Sequence, residues 1–297
     1  QIRGAASRDD MIILDGKSLG IKRRTALADW VATYLERAGR PPGLTVLLAG
    51  DDAASATYVR SKEKASARAG IRGEVVRLPS SVSENELLAR IEALNVDPEV
   101  DGILVQLPLP EGLDEDVVLD AIAPSKDVDG FHPSNSGALW QQRGEVAPCT
   151  PLGVIHLLDD YGIDVQGKNA LVIGRSNIVG RPMAELLLQR NATVTIAHSR
   201  TADLERLIGD ADIVVAAIGR PGFVKAKTLK PGAVCIDVGI NRTPEGLVGD
   251  FEWDGLDQIA SAATPVPGGV GPMTIATLLH NAVCAWARHT DLPETPS

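Results

Sequence analysis

The stretch Ala170-Leu-Val-Ile-Gly174-Arg175-Ser176-Asn177-Ile178-Val179-Gly180-Arg181-Pro182 decides the fold. It opens with a short apolar run rich in β-branched residues, the pattern of a strand buried in a parallel sheet. The chain turns at Gly174 and enters Met183-Ala-Glu-Leu-Leu-Leu-Gln189, whose apolar spacing predicts a helix. Pro182 falls in the first turn of that helix, where a missing N–H costs nothing. A second apolar run, Ala192-Thr-Val-Thr-Ile-Ala197, follows at the spacing of a βαβ unit. A strand, a tight glycine turn and a helix N-terminus bring free backbone N–H groups and the positive end of the helix dipole to one point. That is how the pyrophosphate of a dinucleotide is held.

The glycine pattern is partial. The G-x-G-x-x-G fingerprint needs glycine at 174, 176 and 179, where this chain has Gly174, Ser176 and Val179, followed by Gly180. The loop alone reads equally as an ordinary α/β turn. The end of the second strand adds to it. An NAD site carries Asp or Glu there to accept from the ribose 2′-hydroxyl, whereas this chain has His198-Ser199-Arg200-Thr201. A hydroxyl and a guanidinium suit a 2′-phosphate, and Arg175 in the turn can reach the same group, so the expected cofactor is NADP. The competing reading makes Arg175 and Arg200 solvated surface charges.

Working outward, Asp212-Ile-Val-Val-Ala-Ala-Ile-Gly219 and Ala233-Val-Cys-Ile-Asp-Val-Gly239 read as further strands that end in glycine. Upstream, Leu44–Ala49, Val75–Leu78 and Gly102–Leu107 read as strands. They alternate with a helix capped by Ser55 and running to Ala69, and with one opened by the capping box Ser83-Glu-Asn-Glu86. Residues 44–107 are therefore β-α-β-α-β, which predicts a parallel sheet with helices on both faces. A helix spans Leu19 to Ala38. Short helical stretches follow at Leu113–Ile122 and Leu152–Tyr161, on either side of a loop-rich connector, Pro124–Pro151. The rigid loop Pro265-Val-Pro-Gly-Gly-Val-Gly-Pro272 precedes a last helix, Met273 to Ala287. The expected class is α/β with two domains, an N-terminal parallel-sheet domain and a Rossmann-type dinucleotide-binding domain, with a cleft between them. The boundaries are placed at 11–150, joined by the C-terminal helix 273–290, and at 151–272.

A chain of 297 residues with 44% hydrophobic residues is long enough for two cores. Its net charge of −10 argues against a nucleic-acid partner. Three scattered cysteines without a C-x-x-C pair point to a reducing compartment, the cytoplasm. No histidine spacing suggests a metal, and no apolar run reaches membrane-spanning length. Residues 1–10 lack the apolar core of a signal peptide and read as an expression remnant or a disordered arm.

Several stretches carry chemistry. In Tyr58-Val-Arg-Ser-Lys62 the phenol and the amine are at i and i+4, so they share a helix face. A lysine beside a phenol is an acid–base pair where burial disfavours its charged form. The plainer reading is a solvated basic face. Gln106 breaks an apolar strand at its carboxyl end, where open α/β sheets place ligands, and is either a satisfied core amide or a site residue. Lys126-Asp127-Val128-Asp129-Gly130 sets two carboxylates at i and i+2, a spacing that equally fits Asx-turn chemistry.

Taken together these stretches resemble a known family. Tyr58-Val-Arg-Ser-Lys62, Val105-Gln-Leu-Pro108, Lys126-Asp-Val-Asp129-Gly, Pro148-Cys-Thr-Pro151, Gly174-Arg-Ser-Asn-Ile-Val-Gly180, Asp237-Val-Gly-Ile-Asn241 and Thr264-Pro-Val-Pro-Gly-Gly-Val-Gly-Pro272 occur in this order. The set resembles the bifunctional methylenetetrahydrofolate dehydrogenase/methenyltetrahydrofolate cyclohydrolase family from about residue 12 to the last helix. The resemblance implies NADP-dependent oxidation of 5,10-methylenetetrahydrofolate to 5,10-methenyltetrahydrofolate, then hydrolysis to 10-formyltetrahydrofolate, by a homodimer.

It also implies roles. Lys62 is the acid–base group of the hydrolysis and Gln106 its hydrogen-bonding partner. Asp129 anchors the pterin ring, and Tyr58 packs against the folate. Ser55, Val105, Leu107, Pro267, Gly268, Gly269, Val270, Gly271, Pro272 and Ile275 line the substrate site. Gly174, Arg175, Ser176, Ile178, Ser199 and Ile240 match the cofactor contacts, with Arg200 added by the strand-end reading. Ala53 and Ala138 depart from the family, which often has proline and arginine there. Two other readings compete: a two-domain NADP-dependent dehydrogenase like the shikimate or amino-acid dehydrogenases, and a catalytically silent folate- or nucleotide-binding subunit. The presence of Lys62, Gln106 and Asp129 together argues against the first, and Lys62, for which a silent subunit has no need, argues against the second.

Overall fold

The computed structural model describes residues 10–244 and 246–295, so the expected N-terminal arm lies outside it except for Asp10. The chain opens with strand β1 (Ile12–Ile13) and helix α1 (Gly16–Ala38). It then alternates through β2 (Gly43–Ala49), α2 (Ala53–Arg68), β3 (Arg72–Leu78), α3 (Glu84–Val96) and β4 (Gly102–Val105). Three helices follow, α4 (Glu115–Asp120), α5 (Pro133–Trp140) and α6 (Cys149–Asp160). The second alternating run is β5 (Asn169–Ile173), α7 (Gly180–Gln189), β6 (Thr193–Ala197), α8 (Leu204–Asp210), β7 (Ile213–Ala216) and β8 (Val234–Asp237). A hairpin of β9 (Asn241–Thr243) and β10 (Gly246–Val248), the short β11 (Ala262–Ala263) and the helix α9 (Val270–His289) complete the described chain.

The chain divides into two compact units. One takes Ser18–Gly153 and returns from Met273 onward. The other takes the chain up to Lys17 together with Val154–Pro272. In the first, β3-β2-β4 form a parallel sheet with β2 central and every residue of β2 buried. Alternation along β2 sends Leu44, Val46 and Leu48 into a core with Leu27, Val31, Val59, Leu279, Val283 and Trp286. It sends Leu47 and Ala49 the other way, against Leu87, Ile91, Ile103, Val105 and Val118. Trp286 is fully buried and meets Trp30 edge-on, with ring centroids 5.9 Å apart. The last helix is therefore part of the first unit's core. Burial of each such large side chain contributes about 1.5–3 kcal/mol.

The capping box at Ser83 is formed, with Glu86 N donating to Ser83 Oγ and Ser83 N to Glu86 Oε2. The cap of α2 differs from the expectation. Asp52, not Ser55, is the N-cap, and its carboxylate accepts from Ser55 N at 2.6 Å. A carboxylate three residues ahead of an N–H outcompetes a serine already inside the first turn. The connector also holds α5, capped by the His132 ring, which accepts from Ser134 N.

In the second unit the sheet order is β1-β11-β8-β7-β5-β6, all parallel. The sequence boundary places the segment from residue 11 with the first domain, but Ile12 and Ile13 pair with Ala262 and Ala263 in this sheet. Two ladder positions carry almost no pattern of their own, and the pairing partner is supplied by a segment some 250 residues away.

Candidate functional site

In the first unit, α2 follows β2 and buries one face at 3.6-residue spacing, through Ser55, Val59, Lys62 and Ser66. Lys62 is on that face and only 8% exposed, whereas Lys64, two residues on, is exposed. The solvated-face reading therefore fails for Lys62 and holds for Lys64. Lys62 Nζ donates to Gln106 Oε1 at 3.0 Å. Gln106 follows directly on β4, and its backbone N donates to Leu47 O, extending the ladder by one bond. Its Nε2 donates to Leu107 O at 2.7 Å, which fixes the amide so that the oxygen faces the lysine. Tyr58 is half-buried one turn before Lys62, and desolvation raises its phenol above the usual range, so it stays neutral. Val105 is buried in β4 and Leu107 half-buried after it.

The Lys126–Gly130 turn divides its charges between structure and site. Ile103 N donates to Lys126 O, so the turn runs alongside β4. Lys126 Nζ donates to the carbonyls of Leu94 and Asp97 and closes the C-terminus of α3. Asp127 accepts from Gly130 N, His132 N and Asn135 Nδ2, which is the Asx-type role. Asp129 is half-buried and held up at about 6 by desolvation, partly offset by the Lys62 charge. Lys62, Gln106 and Asp129 thus form one cluster, with an amine, an amide and a carboxyl group of raised pKa.

Two members of the surroundings were given no role by the sequence. Cys149, at the start of α6, donates to Val128 O at 3.2 Å. Burial, with the nearby Asp129 charge, pushes its thiol well up, so it stays protonated. Asn281 of α9 donates to Val128 O at 2.9 Å and Ala147 O at 3.1 Å, fastening the last helix behind the turn. The Pro148–Pro151 motif flagged the first. A lone asparagine in an apolar helix is the only signal for the second.

In the second unit, Gly174 ends β5 at φ +129°, and a Cβ there would overlap the Ala217 carbonyl at the end of β7. Only glycine allows this approach. Gly180, the first residue of α7, would likewise overlap the Gly174 carbonyl. The amides expected to be free at this helix start are taken: Val179 N and Gly180 N donate to Ser176 Oγ, and Arg181 N to Ser176 O. Ser176 Oγ still has its own hydrogen to donate outward. Arg175, Ser176, Ser199 and Arg200 are exposed, Ile178 is half-buried, and Ile240 is 43% exposed after β8. The turn after β6 is held by Thr201 Oγ1, which accepts from His198 N, and by His198 Nδ1, which accepts from Arg200 N. Gly174, Ser176 and Ile178 come together in one loop, with Ser199 and Arg200 following the neighbouring strand.

The Pro267–Pro272 loop leads into α9. Gly269 N donates to Pro265 O, and Gly268 O accepts from Lys17 N. Gly269 and Val270 are buried, and Pro267 is exposed. Gly271, Pro272 and Ile275, in the first turns of α9, are half-buried. Among the described residues no three His, Cys, Asp or Glu side chains gather to hold a metal ion.

Comparison with known proteins adds to this geometry. The profile of the tetrahydrofolate dehydrogenase/cyclohydrolase catalytic domain matches residues 14–129, and that of its NAD(P)-binding domain matches residues 148–290. The bifunctional protein FolD of Streptococcus pneumoniae is 53% identical over 280 residues, covering 94% of this chain and 98% of that protein. The structure of the bifunctional FolD dehydrogenase/cyclohydrolase from Campylobacter jejuni superimposes with a TM-score of 0.91 at 47% identity, covering 94% and 99% of the two chains. The Trypanosoma brucei FolD structure, solved with NADP cofactor and inhibitor, gives a TM-score of 0.90 at 38% identity, covering 94% and 98%. With both domain profiles matched along the chain, and relatives this similar over nearly their whole length, the chain belongs to the tetrahydrofolate dehydrogenase/cyclohydrolase family.

Proposed function

We propose that this protein oxidises 5,10-methylenetetrahydrofolate with NADP and hydrolyses the resulting 5,10-methenyltetrahydrofolate to 10-formyltetrahydrofolate. The observation that carries the reading is the part-buried hydrogen bond from Lys62 Nζ to Gln106 Oε1 beside Asp129. A dehydrogenase needs no such group, since hydride transfer asks only that two carbons be held in reach. Hydrolysis needs proton transfers, and those need a side chain that can give and take.

NADP supplies the nicotinamide ring that accepts the hydride. The chain's residues fit such a dinucleotide: the loop after β5 is stripped of side chains at Gly174, Ser176 keeps a hydroxyl to donate, and Arg175 and Arg200 are exposed for a 2′-phosphate. In the hydrolytic step, water adds to the methenyl carbon and the bond from that carbon to N5 breaks. The water oxygen loses two protons, of which one passes to N5 and one is released. Lys62 Nζ is the group that takes and returns a proton. Gln106 fixes its position with a neutral acceptor, which holds the amine without the charge stabilisation a carboxylate would add. Asp129 accepts hydrogen bonds from the pterin ring, and Tyr58, neutral, packs against it. Ser55, Val105, Leu107 and Ile275 line the folate site. Ile178 and Ile240 contact the cofactor with the Gly174–Ser176 loop and Ser199.

The folate part is assigned to the unit built on β2 and the cofactor part to the unit built on β5. A second copy of this chain is the expected partner, supported by β6, which is an edge strand among the described residues, with Leu188 51% exposed on α7. Three free thiols fit the cytoplasm.

The test is a spectrophotometric assay with 5,10-methylenetetrahydrofolate and either NADP or NAD. Reduced cofactor without methenyl build-up, faster with NADP, is expected. No reduction by folded protein with either cofactor would overturn the reading. Light scattering of the purified protein tests the dimer.

A further inference from the structure

Asp237 and Asp250 have no role in the scheme above, yet both are buried in the second unit. Asp250 is fully buried, and four donors converge on it. Its Oδ2 accepts from Ile218 N at 2.8 Å and Gly219 N at 3.1 Å, and its Oδ1 from Arg220 N at 2.8 Å and Asn241 Nδ2 at 3.0 Å. Asp237, the last residue of β8, holds the backbone of this carboxylate in turn, accepting from Asp250 N at 2.8 Å and Phe251 N at 3.0 Å. The packing leaves no slack: a Cβ on Gly239 would overlap the Asp250 carboxylate, and one on Gly249 the Asp237 carboxylate.

The donors come from two loops. Residues 218–220 follow β7, and residues 238–241, which include Ile240, follow β8. These are the carboxyl ends of adjacent parallel strands, next to β5, whose own end is pressed on Ala217 through Gly174. Open parallel sheets bind ligands at that edge. A carboxylate with four donors has its lone pairs in use and is no ligand itself.

We propose that Asp250 is a positioning residue for the dinucleotide, fixing the 218–220 loop and, through Asn241, the loop bearing Ile240 in the shape the cofactor meets. The proposal rests on the NADP reading above. In Asp250→Asn one of the two acceptor oxygens becomes an NH2, so two of the four donors face a donor and the loops lose half of their shared acceptor. Asn241→Ala removes one donor and leaves the carboxylate.

Calorimetric titration with NADP, and hydrogen exchange of the amides of residues 218–220 and 239–240 without cofactor, test it. The thermal midpoint and far-UV circular dichroism report on folding of the whole chain, and hydrolysis of 5,10-methenyltetrahydrofolate, which uses no cofactor, on the first unit. Asp250→Asn is expected to weaken NADP binding about 10- to 100-fold, with faster exchange of those amides and hydrolysis within about twofold of wild type. Asn241→Ala is expected to weaken binding about threefold. An Asp250→Asn protein that hydrolyses normally and binds NADP like wild type would overturn the proposal. If that variant does not fold, unchanged affinity in Asn241→Ala would overturn it. A wild-type protein that binds no NADP would sink the cofactor reading and this proposal with it, whereas unchanged variants sink this proposal alone.

Discussion

Gln106 presents its amide oxygen to Lys62 because its amide nitrogen is committed to the Leu107 carbonyl, 2.7 Å away. The lysine is thus held by a neutral group. Gln106→Glu would put an anion in the same place and fix the proton on the amine. Cyclohydrolase activity at neutral pH is expected to fall about 100-fold, while hydride transfer falls far less. Lys62→Met is expected to abolish the hydrolysis altogether. In both variants methenyltetrahydrofolate absorbance should accumulate as NADP is reduced, and equal loss of the two activities would contradict the division of labour.

Asp129 gives a pH signature. Its pKa is raised from 3.8 to about 6, so the folded protein binds its proton more tightly than the unfolded chain does. The stability from this site is full below the unfolded value and is lost as pH rises through about 6. Asp129→Asn should therefore stabilise the protein more at pH 8 than at pH 5, by about 1 kcal/mol, in urea titrations at the two pH values. The same protonation should raise the KM for folate as pH falls through about 6.

Asp101 behaves in the opposite sense. It is fully buried and accepts from Arg40 at 2.6 and 2.8 Å, from Gly43 N at 2.8 Å, and pairs with His289 Nδ1 at 2.9 Å. Although burial raises its pKa, the combined hydrogen bonds and the Arg40 charge leave it depressed, so its contribution is present above the ordinary carboxylate value and lost as pH falls. Asp101→Asn removes the bidentate charged partner of Arg40 and leaves it only the 3.8 Å pair with Glu99, at an expected cost of about 3 kcal/mol, read from the denaturation midpoint.

Cofactor choice tests the two exposed guanidiniums. Arg175→Ala with Arg200→Ala is expected to weaken NADP binding about 10- to 100-fold and leave NAD binding little changed, measured by titration with each. Equal effects on both cofactors would remove these residues from the 2′-phosphate site.

Much of this arrangement is legible in the sequence because local rules and tertiary packing agree. The run 44–49 is apolar on both faces, as a central parallel strand must be, and Ser83 with Glu86 states its own cap. The site was harder to read. Spacing puts Tyr58 and Lys62 on one face but does not say that the face is buried, which depends on the sheet beneath α2. The two aspartates of the 126–130 turn are alike in sequence, and only the donors around Asp127 separate the structural one from the one left for ligand. The pairing of Ile12–Ile13 with Ala262–Ala263 and the reach of Asn281 to Val128 are contacts between distant segments, which no local window contains.

The bond from Asn281 to the Val128 and Ala147 carbonyls also sets an order in time. A ribosome makes the Lys62 helix and the Asp129 turn early, then residues 154–272 of the second unit, and only afterwards the helix that supports the turn and brings Trp286 into its core. The hydrolytic centre must therefore wait, part-built, while the dinucleotide unit is synthesised, and a nascent chain released before Asn281 would carry the catalytic lysine without the support behind Val128 and Ala147.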